Sequence, residues 1–354
     1  MQAEDNFLKG RGAQLNTKNH YLSNEYVAEH IEGLDEELIT NTKTKFYKEF
    51  PKKIVNKVVS PDIPFNYSMN PYQGCEHGCI YCYARNTHQY WGYNAGLDFE
   101  RKIIVKENAP EVLEKQLKSK NWKPAPIMFS GNTDCYQPIE REKQITRRML
   151  QVLLKYKHPV GMITKNSLIT RDIDILSELA KLNLVNVAIS ITTLDEAMRR
   201  KLEPRTSSAK NRLQTVQQLS SAGIPVFVMH APIIPGINNH EIPAILKAAA
   251  ESGATSAGYT MVRLNGQVEE IFTDWLHKTF PDRANKVLSQ IAECHGGKVN
   301  DSNYGQRMKG VGNIALSIHQ LFAMSKKKYF KDNKMPELVT SLFDNHSNHQ
   351  MKLF

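Results

Sequence analysis

The sequence is poor in cysteine: five among 354 residues, three of them between positions 75 and 82. So few thiols exclude a disulfide framework and point to a reducing, cytoplasmic setting. Long apolar runs are missing too. None reaches the ~18 residues that a membrane span needs. The opening stretch MQAEDNFLKG carries acids and has no apolar core, so no signal peptide is expected. There is no low-complexity tract and no base-reading signature. Acidic residues are in deficit, 36 against 46 Lys and Arg, for a net charge of +10. That balance permits an anionic partner such as a nucleic acid without requiring one. What remains is ordinary for a globular protein: 41% hydrophobic and 8% aromatic. The length suits one large α/β domain with extensions, or two domains.

The clustered cysteines lie in Asn70–Arg85, NPYQGCEHGCIYCYAR, with the spacing C-x3-C-x2-C. Thiolates this close together suit a metal. Gly74 and Gly78 suit a loop that must curl tightly round one, because glycine tolerates positive φ and close backbone approach. Structural zinc wants four ligands, usually as paired knuckles. His77 is too near its neighbours to close a tetrahedron easily. A 4Fe–4S cluster on Cys75, Cys79 and Cys82 would leave one iron open to a small molecule. Zinc and unrelated core thiols are the alternatives.

Along the rest of the chain, short apolar runs recur at Pro126–Ser130, Pro159–Thr164, Asn186–Ile191, Pro225–His230 and Thr255–Val262. A first strand is expected at Pro64–Asn70, where Phe65, Tyr67 and Met69 alternate. Helical patterns fill the gaps: Tyr83–Tyr93, Ala109–Lys120, Arg141–Lys157, Arg171–Leu182, Lys210–Ala222 and Glu241–Glu251. The spacing of about 30 residues is that of a βα repeat. Six such strands predict parallel pairing and an open, partial (β/α)6 barrel, with a flat doubly wound sheet as the alternative. Either architecture puts function at the C-terminal ends of the strands. Residues 1–60 read as a polar, basic extension with short helical turns near Glu25–Leu38. Residues 61–266 form the barrel. Residues 267–354 read as a mainly helical region with a basic tail: Val268–Phe280, Arg283–His295 and a helix carrying Val311, Ile314, Ala315, Ile318, Leu321 and Phe322.

Each strand runs into polar residues that a core does not require. These are Ser130–Cys135, Thr164–Ser167, Ser190 with Thr192 and Thr193, His230, and Arg263 with Asn265. A ring of this kind on one rim is the expected lining of a cofactor pocket. His230 also suits a hydrogen-bonded core position, and Cys294, beside His295, a structural one.

The cysteine triplet, with aromatic Tyr81 before the third cysteine, resembles the signature of the radical S-adenosylmethionine (SAM) superfamily. Over roughly Pro61–Gly266 the chain resembles its DNA repair photolyase-like group, related to spore photoproduct lyase. The resemblance implies a partial barrel, a 4Fe–4S cluster on Cys75, Cys79 and Cys82, and SAM on the open iron. Gly131, Asn132 and Thr133 would meet the SAM amino group, although the superfamily's Gly-Gly-Glu is lacking there. Lys165 would pair with the carboxylate, and Ser190 would lie near the ribose or carboxylate. Pro232–Pro235, Ile234 included, would hold the adenine by backbone contacts beside Tyr81. Cys135 occupies roughly the place of a hydrogen-donating cysteine, offset by a few residues. Glu203–Thr206 matches a segment common to the group, as a rim salt bridge or a substrate contact. The implied chemistry is reductive cleavage of SAM to a 5′-deoxyadenosyl radical, which takes hydrogen from a substrate. It needs an external low-potential donor, a flavodoxin or ferredoxin. The substrate is a nucleic acid, with Arg307, Lys309 and Lys326–Lys328 at phosphates, or else a protein or metabolite. An iron–sulfur carrier without SAM chemistry is the other class.

Overall fold

The computed structural model describes residues 8–22, 43–63, 65–330 and 334–345. The helical turns expected near Glu25–Leu38 lie outside the described residues.

Among the described residues, ten strands are present in chain order: β1 (Lys45–Glu49), β2 (Val55–Lys57), β3 (Tyr67–Met69), β4 (Tyr72–Gln73), β5 (Lys102–Lys106), β6 (Ile127–Phe129), β7 (Val160–Thr164), β8 (Val185–Ser190), β9 (Val226–Ile233) and β10 (Ser256–Met261). The main sheet has the order β10-β9-β8-β7-β6-β3-β2. Its six strands from β3 to β10 pair in parallel, and β2 adds an antiparallel edge. The parallel order follows the chain without reversal. A doubly wound sheet reverses its order at a switch point, so the partial (β/α)6 barrel is the architecture present. The other three strands form a small sheet, β1-β5-β4, outside the βα period.

The helices are α1 (Leu97–Arg101), α2 (Ala109–Leu117), α3 (Glu140–Lys143), α4 (Ile145–Lys155), α5 (Ile173–Lys181), α6 (Glu196–Leu202), α7 (Ala209–Ser221), α8 (Ile242–Glu251), α9 (Val268–Thr279), α10 (Ala284–Glu293) and α11 (Gly312–Tyr329). Apolar spacing explains which face each one buries. On α4, Ile145, Met149, Leu150 and Leu153 form one stripe against the sheet. Side-chain caps start α6 and α7: Asp195 accepts from the amides of Ala197 and Met198, and Ser208 from that of Asn211.

Two expected helices differ. Tyr83–Trp91 is a 3-10 helix stopped by Gly92 at φ 77°. The expected Arg141–Lys157 helix is broken at Gln144, which has φ 51°. The buried Glu140 carboxylate causes the break. It accepts from the Thr146 amide at 3.1 Å and the Arg171 guanidinium at 2.8 Å, and this turns the chain between α3 and α4.

The main core lies between the parallel sheet and its outer helices. A second apolar cluster joins Cys79, Ile80 and Tyr81 to Val268, Phe272 and Trp275 of α9 and Val287 and Ile291 of α10. The two helices after the barrel thus pack against the cysteine loop. Helix α11 packs on α8 and β10, where the Tyr259 hydroxyl meets Nδ1 of His319 at 3.2 Å. At the opposite end of the strands, residues 334–345 cross the barrel floor. There the Asn186 side-chain amide donates to Pro336 O, and the amides of Val339 and Asp344 donate to the carbonyls of Asn183 and Tyr156.

Candidate cofactor site

The cysteine loop follows β3 at the C-terminal rim. Cys75 and Cys79 are buried, Cys82 is half-buried, and all three are free thiols. Two glycines shape the turn. Gly74 has φ 77°, and a Cβ there would stand 3.0 Å from the carbonyl oxygens of both Phe99 and Lys102. Gly78 has φ 67°, and a Cβ would stand 2.8 Å from Oε2 of Glu100. Any side chain at either place would clash as well as strain the backbone.

Buried polar groups hold the loop from outside. Arg85 is fully buried. Its Nε donates to Cys79 O at 3.0 Å, Nη1 donates to the carbonyls of Ala95 and Gly96, and Nη2 pairs with Glu100 at 2.5 Å. The Glu100 carboxylate also accepts from the amides of Gly12 and Ala13. Gln137 accepts from the Glu76 amide and donates to Gly74 O. Ile80 N donates to Leu202 O, and Arg205 N to His77 O, so the Glu203–Thr206 segment is stitched to the loop by its backbone.

At the rim, Asp134 joins three elements. It accepts from Thr164 Oγ1 at 2.7 Å and Lys165 N at 2.8 Å, and faces His77 Nδ1 at 3.3 Å. Burial opposes its ionisation, but His77 and the backbone donors prevail and hold it down at about 2. His77 Nε2 meets the Asn166 amide at 3.3 Å. With both ring nitrogens engaged within the protein, His77 is a brace for the loop.

Glu203 is fully buried. It accepts from the Tyr81 hydroxyl, from Thr192 Oγ1 at 2.6 Å and from Arg212 Nη2 at 2.5 Å. Burial works against the carboxylate, but the charges of Arg212 and Lys165 outweigh it and hold it at about 2. The Glu203–Thr206 segment is therefore a salt-bridged brace inside the rim.

Lys165 stands apart from these pairs. Its Nζ lies 5.8 Å from the centre of the Tyr81 ring. No hydrogen bond or ion pair to it is present among the described residues. Burial alone would lower its pKa, yet Cys79 and Glu203 nearby raise it above the ordinary lysine value, so the ammonium is charged.

The other expected site residues are placed less uniformly. Gly131 O accepts from the exposed Tyr83 hydroxyl. The amides of Asn132 and Thr133 both donate to Oδ1 of Asn70, and the Thr133 hydroxyl donates to Tyr72 O. This loop is thus fastened to the strand preceding the cysteines, and Asn70 is a supporting residue that no spacing rule marks. Ser190 is buried, with its hydroxyl on Ala231 O at 3.3 Å. Ile234 is fully buried and its amide is taken by Asn238 Oδ1 at 2.7 Å, so no free N–H is left there for an adenine. Cys135, expected at the rim as a hydrogen donor, is fully buried in the main core. Its amide is bound to Ser130 Oγ, and burial pushes the thiol well above its usual range. His230 is also fully buried, with Nδ1 on Ile191 O. Cys294 is buried just after α10.

Among the described residues, no three His, Cys, Asp or Glu side chains converge on a single ion. A 4Fe–4S cluster takes one thiolate per iron, and three free thiols on a glycine-cradled loop fit it.

The fold and this loop define a class: an open-barrel α/β protein with a three-thiol site at the C-terminal rim of its strands. The chain belongs to the radical SAM superfamily, whose sequence profile matches residues 69–249. Membership brings a 4Fe–4S cluster and SAM as cofactors. An uncharacterised protein of Mycobacterium tuberculosis is 31% identical over 244 residues, 68% of this chain and 72% of that protein. A radical SAM Nalpha-GlyT isomerase of Pseudomonas phage M6 is 27% identical over 232 residues, 64% of this chain and 46% of that protein. Among solved structures, spore photoproduct lyase complexed with dinucleoside spore photoproduct superposes with a TM-score of 0.59 at 15% identity, over 85% of this chain and 86% of that one. No helix among the described residues is long and apolar enough to cross a membrane.

Proposed function

We propose that this protein is a radical SAM enzyme acting on a nucleic acid. Cys75, Cys79 and Cys82 would hold the 4Fe–4S cluster, and Lys165 would receive the SAM carboxylate. When bound, the cluster supplies one electron to SAM, whose cleavage gives methionine and a 5′-deoxyadenosyl radical that takes hydrogen from the substrate. The protein's own part is orientation and exclusion of water. The observation that carries the reading is the free Lys165 ammonium beside Tyr81 and Cys79, at the rim where the buried thiols lie. A charged group left without a partner at a half-buried rim position costs desolvation unless a ligand anion completes it.

Glu203, tied to the Tyr81 hydroxyl and to Arg212, fixes the ring that Lys165 faces. Asp134 fixes the backbone from which Lys165 projects. The nucleic-acid class is supported by the likeness to a spore photoproduct lyase complexed with dinucleoside spore photoproduct and by the net charge of +10.

The test is anaerobic reconstitution with iron and sulfide, reduction with dithionite and quantitation of 5′-deoxyadenosine. Release that depends on SAM is expected. A chain that loads iron yet releases none would be an iron–sulfur carrier. Filter binding to DNA and RNA at two salt concentrations then tests the substrate class. Phosphate contacts predict binding that weakens steeply with salt, and binding indifferent to salt would favour a protein or metabolite substrate.

A further inference from the structure

Arg263 follows β10 at the C-terminal rim of the barrel. Val262 and Leu264, on either side of it, are buried in the apolar cluster that contains Cys79 and Tyr81, while Arg263 itself is half-buried. The backbone here is fixed from two directions. Val262 N donates to Ile233 O and Leu264 N to Val299 O. The Asn86 side chain donates to Asn265 O and accepts from Gln267 N. Asn86 lies in the 3-10 helix that follows Cys82, so Arg263 is carried on a segment fastened to the continuation of the cysteine loop.

The guanidinium is held at its root and unpaired at its tip. No hydrogen bond or ion pair to it is present among the described residues. Four ionisable groups lie near enough to act on it: Arg307, Tyr83, Asp62 and Asp301. Three of them have partners of their own. Asp62 accepts from Arg307 and from the Gly305 amide at 2.7 Å, Asp301 accepts from the Asn303 amide at 2.7 Å, and the Tyr83 hydroxyl donates to Gly131 O. Burial, and then the charge of Arg307, lower the Arg263 pKa, and the carboxylates do not outweigh them. A half-buried cation repelled by its neighbour and bonded to nothing costs desolvation until a ligand anion completes it. Arg307, expected at phosphates, is committed elsewhere. It holds Asp62, and its Nη2 donates to Ser60 Oγ at 2.9 Å, while Met261 N donates to Met308 O. Residues 299–308 thus join β10, one edge of the main sheet, to the β2–β3 connection at the other edge. This latch closes the open side of the partial barrel and keeps a second cation beside Arg263.

We propose that Arg263 binds a phosphodiester of the nucleic-acid substrate at the barrel mouth. This rests on the substrate reading above and gives it a named contact. A guanidinium presents a planar fork that matches two phosphate oxygens, and it stays charged in a partly dry site. Arg307 adds positive potential there without leaving Asp62. Lys165 comes from the end of β7, three strands away from β10 in the sheet. The two unpaired cations therefore mark separate parts of the mouth, Lys165 for the SAM carboxylate and Arg263 for a substrate phosphate.

The test uses the full reconstituted chain with SAM and fluorescein-labelled single-stranded DNA and RNA, followed by anisotropy from low to high salt. The variants are Arg263→Gln, Arg263→Lys and, as a charge-matched control at an exposed position of α4, Arg148→Gln. Arg263→Gln should weaken binding at least tenfold at low salt. It should also flatten the slope of log K against log salt by about 0.7, the share of one phosphate on a single strand. Arg263→Lys should keep the slope and lose part of the affinity, because an ammonium lacks the fork. Arg148→Gln should bind as the unaltered chain does. The urea midpoint and SAM affinity of Arg263→Gln should not fall, since no protein group loses a partner. Equal binding by Arg263→Gln and the unaltered chain overturns the proposal. So does an equal loss in Arg148→Gln, which would be a general charge effect. A drop in SAM affinity would make Arg263 a SAM ligand, and a drop in the urea midpoint a structural residue; either overturns it too. If the unaltered chain binds neither oligonucleotide, the nucleic-acid reading itself falls and takes this contact with it, while 5′-deoxyadenosine release still decides the radical chemistry.

Discussion

Lys165 is the residue whose environment is least explained by structure alone. The carboxylates around it are already committed: Glu203 to Arg212 and two hydroxyls, Asp134 to His77, the Thr164 hydroxyl and the backbone. If its ammonium receives the SAM carboxylate, Lys165→Met removes a charged hydrogen bond worth about 1.5–3 kcal/mol. The dissociation constant for SAM should then rise roughly 10- to 100-fold, with iron content unchanged. Equilibrium dialysis of SAM on the reconstituted variant measures this, and a change below twofold would remove Lys165 from the site. Gly78 gives the complementary case. Gly78→Ala puts a methyl 2.8 Å from the Glu100 carboxylate at a φ of 67°. The left-handed backbone alone costs an alanine about 1–2 kcal/mol, and Glu100 must also leave its seat on Gly12 and Ala13. Iron retained per chain should drop well below that of the unaltered protein. Full iron loading in the alanine variant would show that the turn tolerates a side chain.

At the scale of elements, the Glu203–Thr206 segment and α7 form one buried unit. Arg212 donates to Ser207 O, Ser190 O, Glu203 and Thr206 from a fully buried position. Arg212→Met leaves Glu203 as an uncompensated buried charge, a loss of about 3–5 kcal/mol. Chemical denaturation should show a drop of this size in a protein that still folds. A loss below 1 kcal/mol would mean that water or a shifted lysine takes the arginine's place. Much of this scale was legible in the sequence. Parallel strands covered on both faces read as apolar runs, and β6 to β10 fall on the expected stretches. The cysteine loop was legible because its ligands are local. The elements that escaped lack such a signature. β5, KIIVK, falls outside the βα period, and β1 and β4 gain meaning only by pairing with it. Helix α6 lies between a strand end and a Pro204 that reads as loop. The braces escaped for another reason. Arg85 reaches Glu100, Glu100 reaches Gly12, and Asn70 reaches Asn132 and Thr133, pairs from 15 to 88 positions apart. Nothing in local composition marks a polar residue as buried and partnered at such range. Cys135 shows the converse: its place after β6 suggested the rim, and the turn that follows Ser130, held at φ 72°, leads it into the core.

Over the whole molecule, acid stability should be governed first by histidines and only later by carboxylates. His158 is buried, with Nδ1 on Pro159 O and Nε2 accepting from the Trp122 indole. His230 is buried against Ile191 O. Desolvation lowers both from 6.5 to about 4. Below pH 6.5 the unfolded chain therefore binds protons at these positions that the folded chain refuses, and stability falls as pH falls. Their contribution is fully present above pH 6.5 and is lost progressively between 6.5 and about 4. At about 1.4 kcal/mol per pH unit, each histidine accounts for roughly 3 kcal/mol across that window. Asp134 and Glu203, held at about 2, keep their stabilising charge until the ordinary carboxylate range is reached from above, and lose it only at lower pH. The two windows barely overlap, so urea midpoints between pH 7 and 4.5 isolate the histidine effect. The midpoint should decline steadily from pH 6.5 downward. His158→Gln, which cannot take up a proton, should lower stability at pH 7 yet flatten that decline. A midpoint constant from pH 7 to 4.5 would mean that these rings gain water and titrate normally in the folded chain.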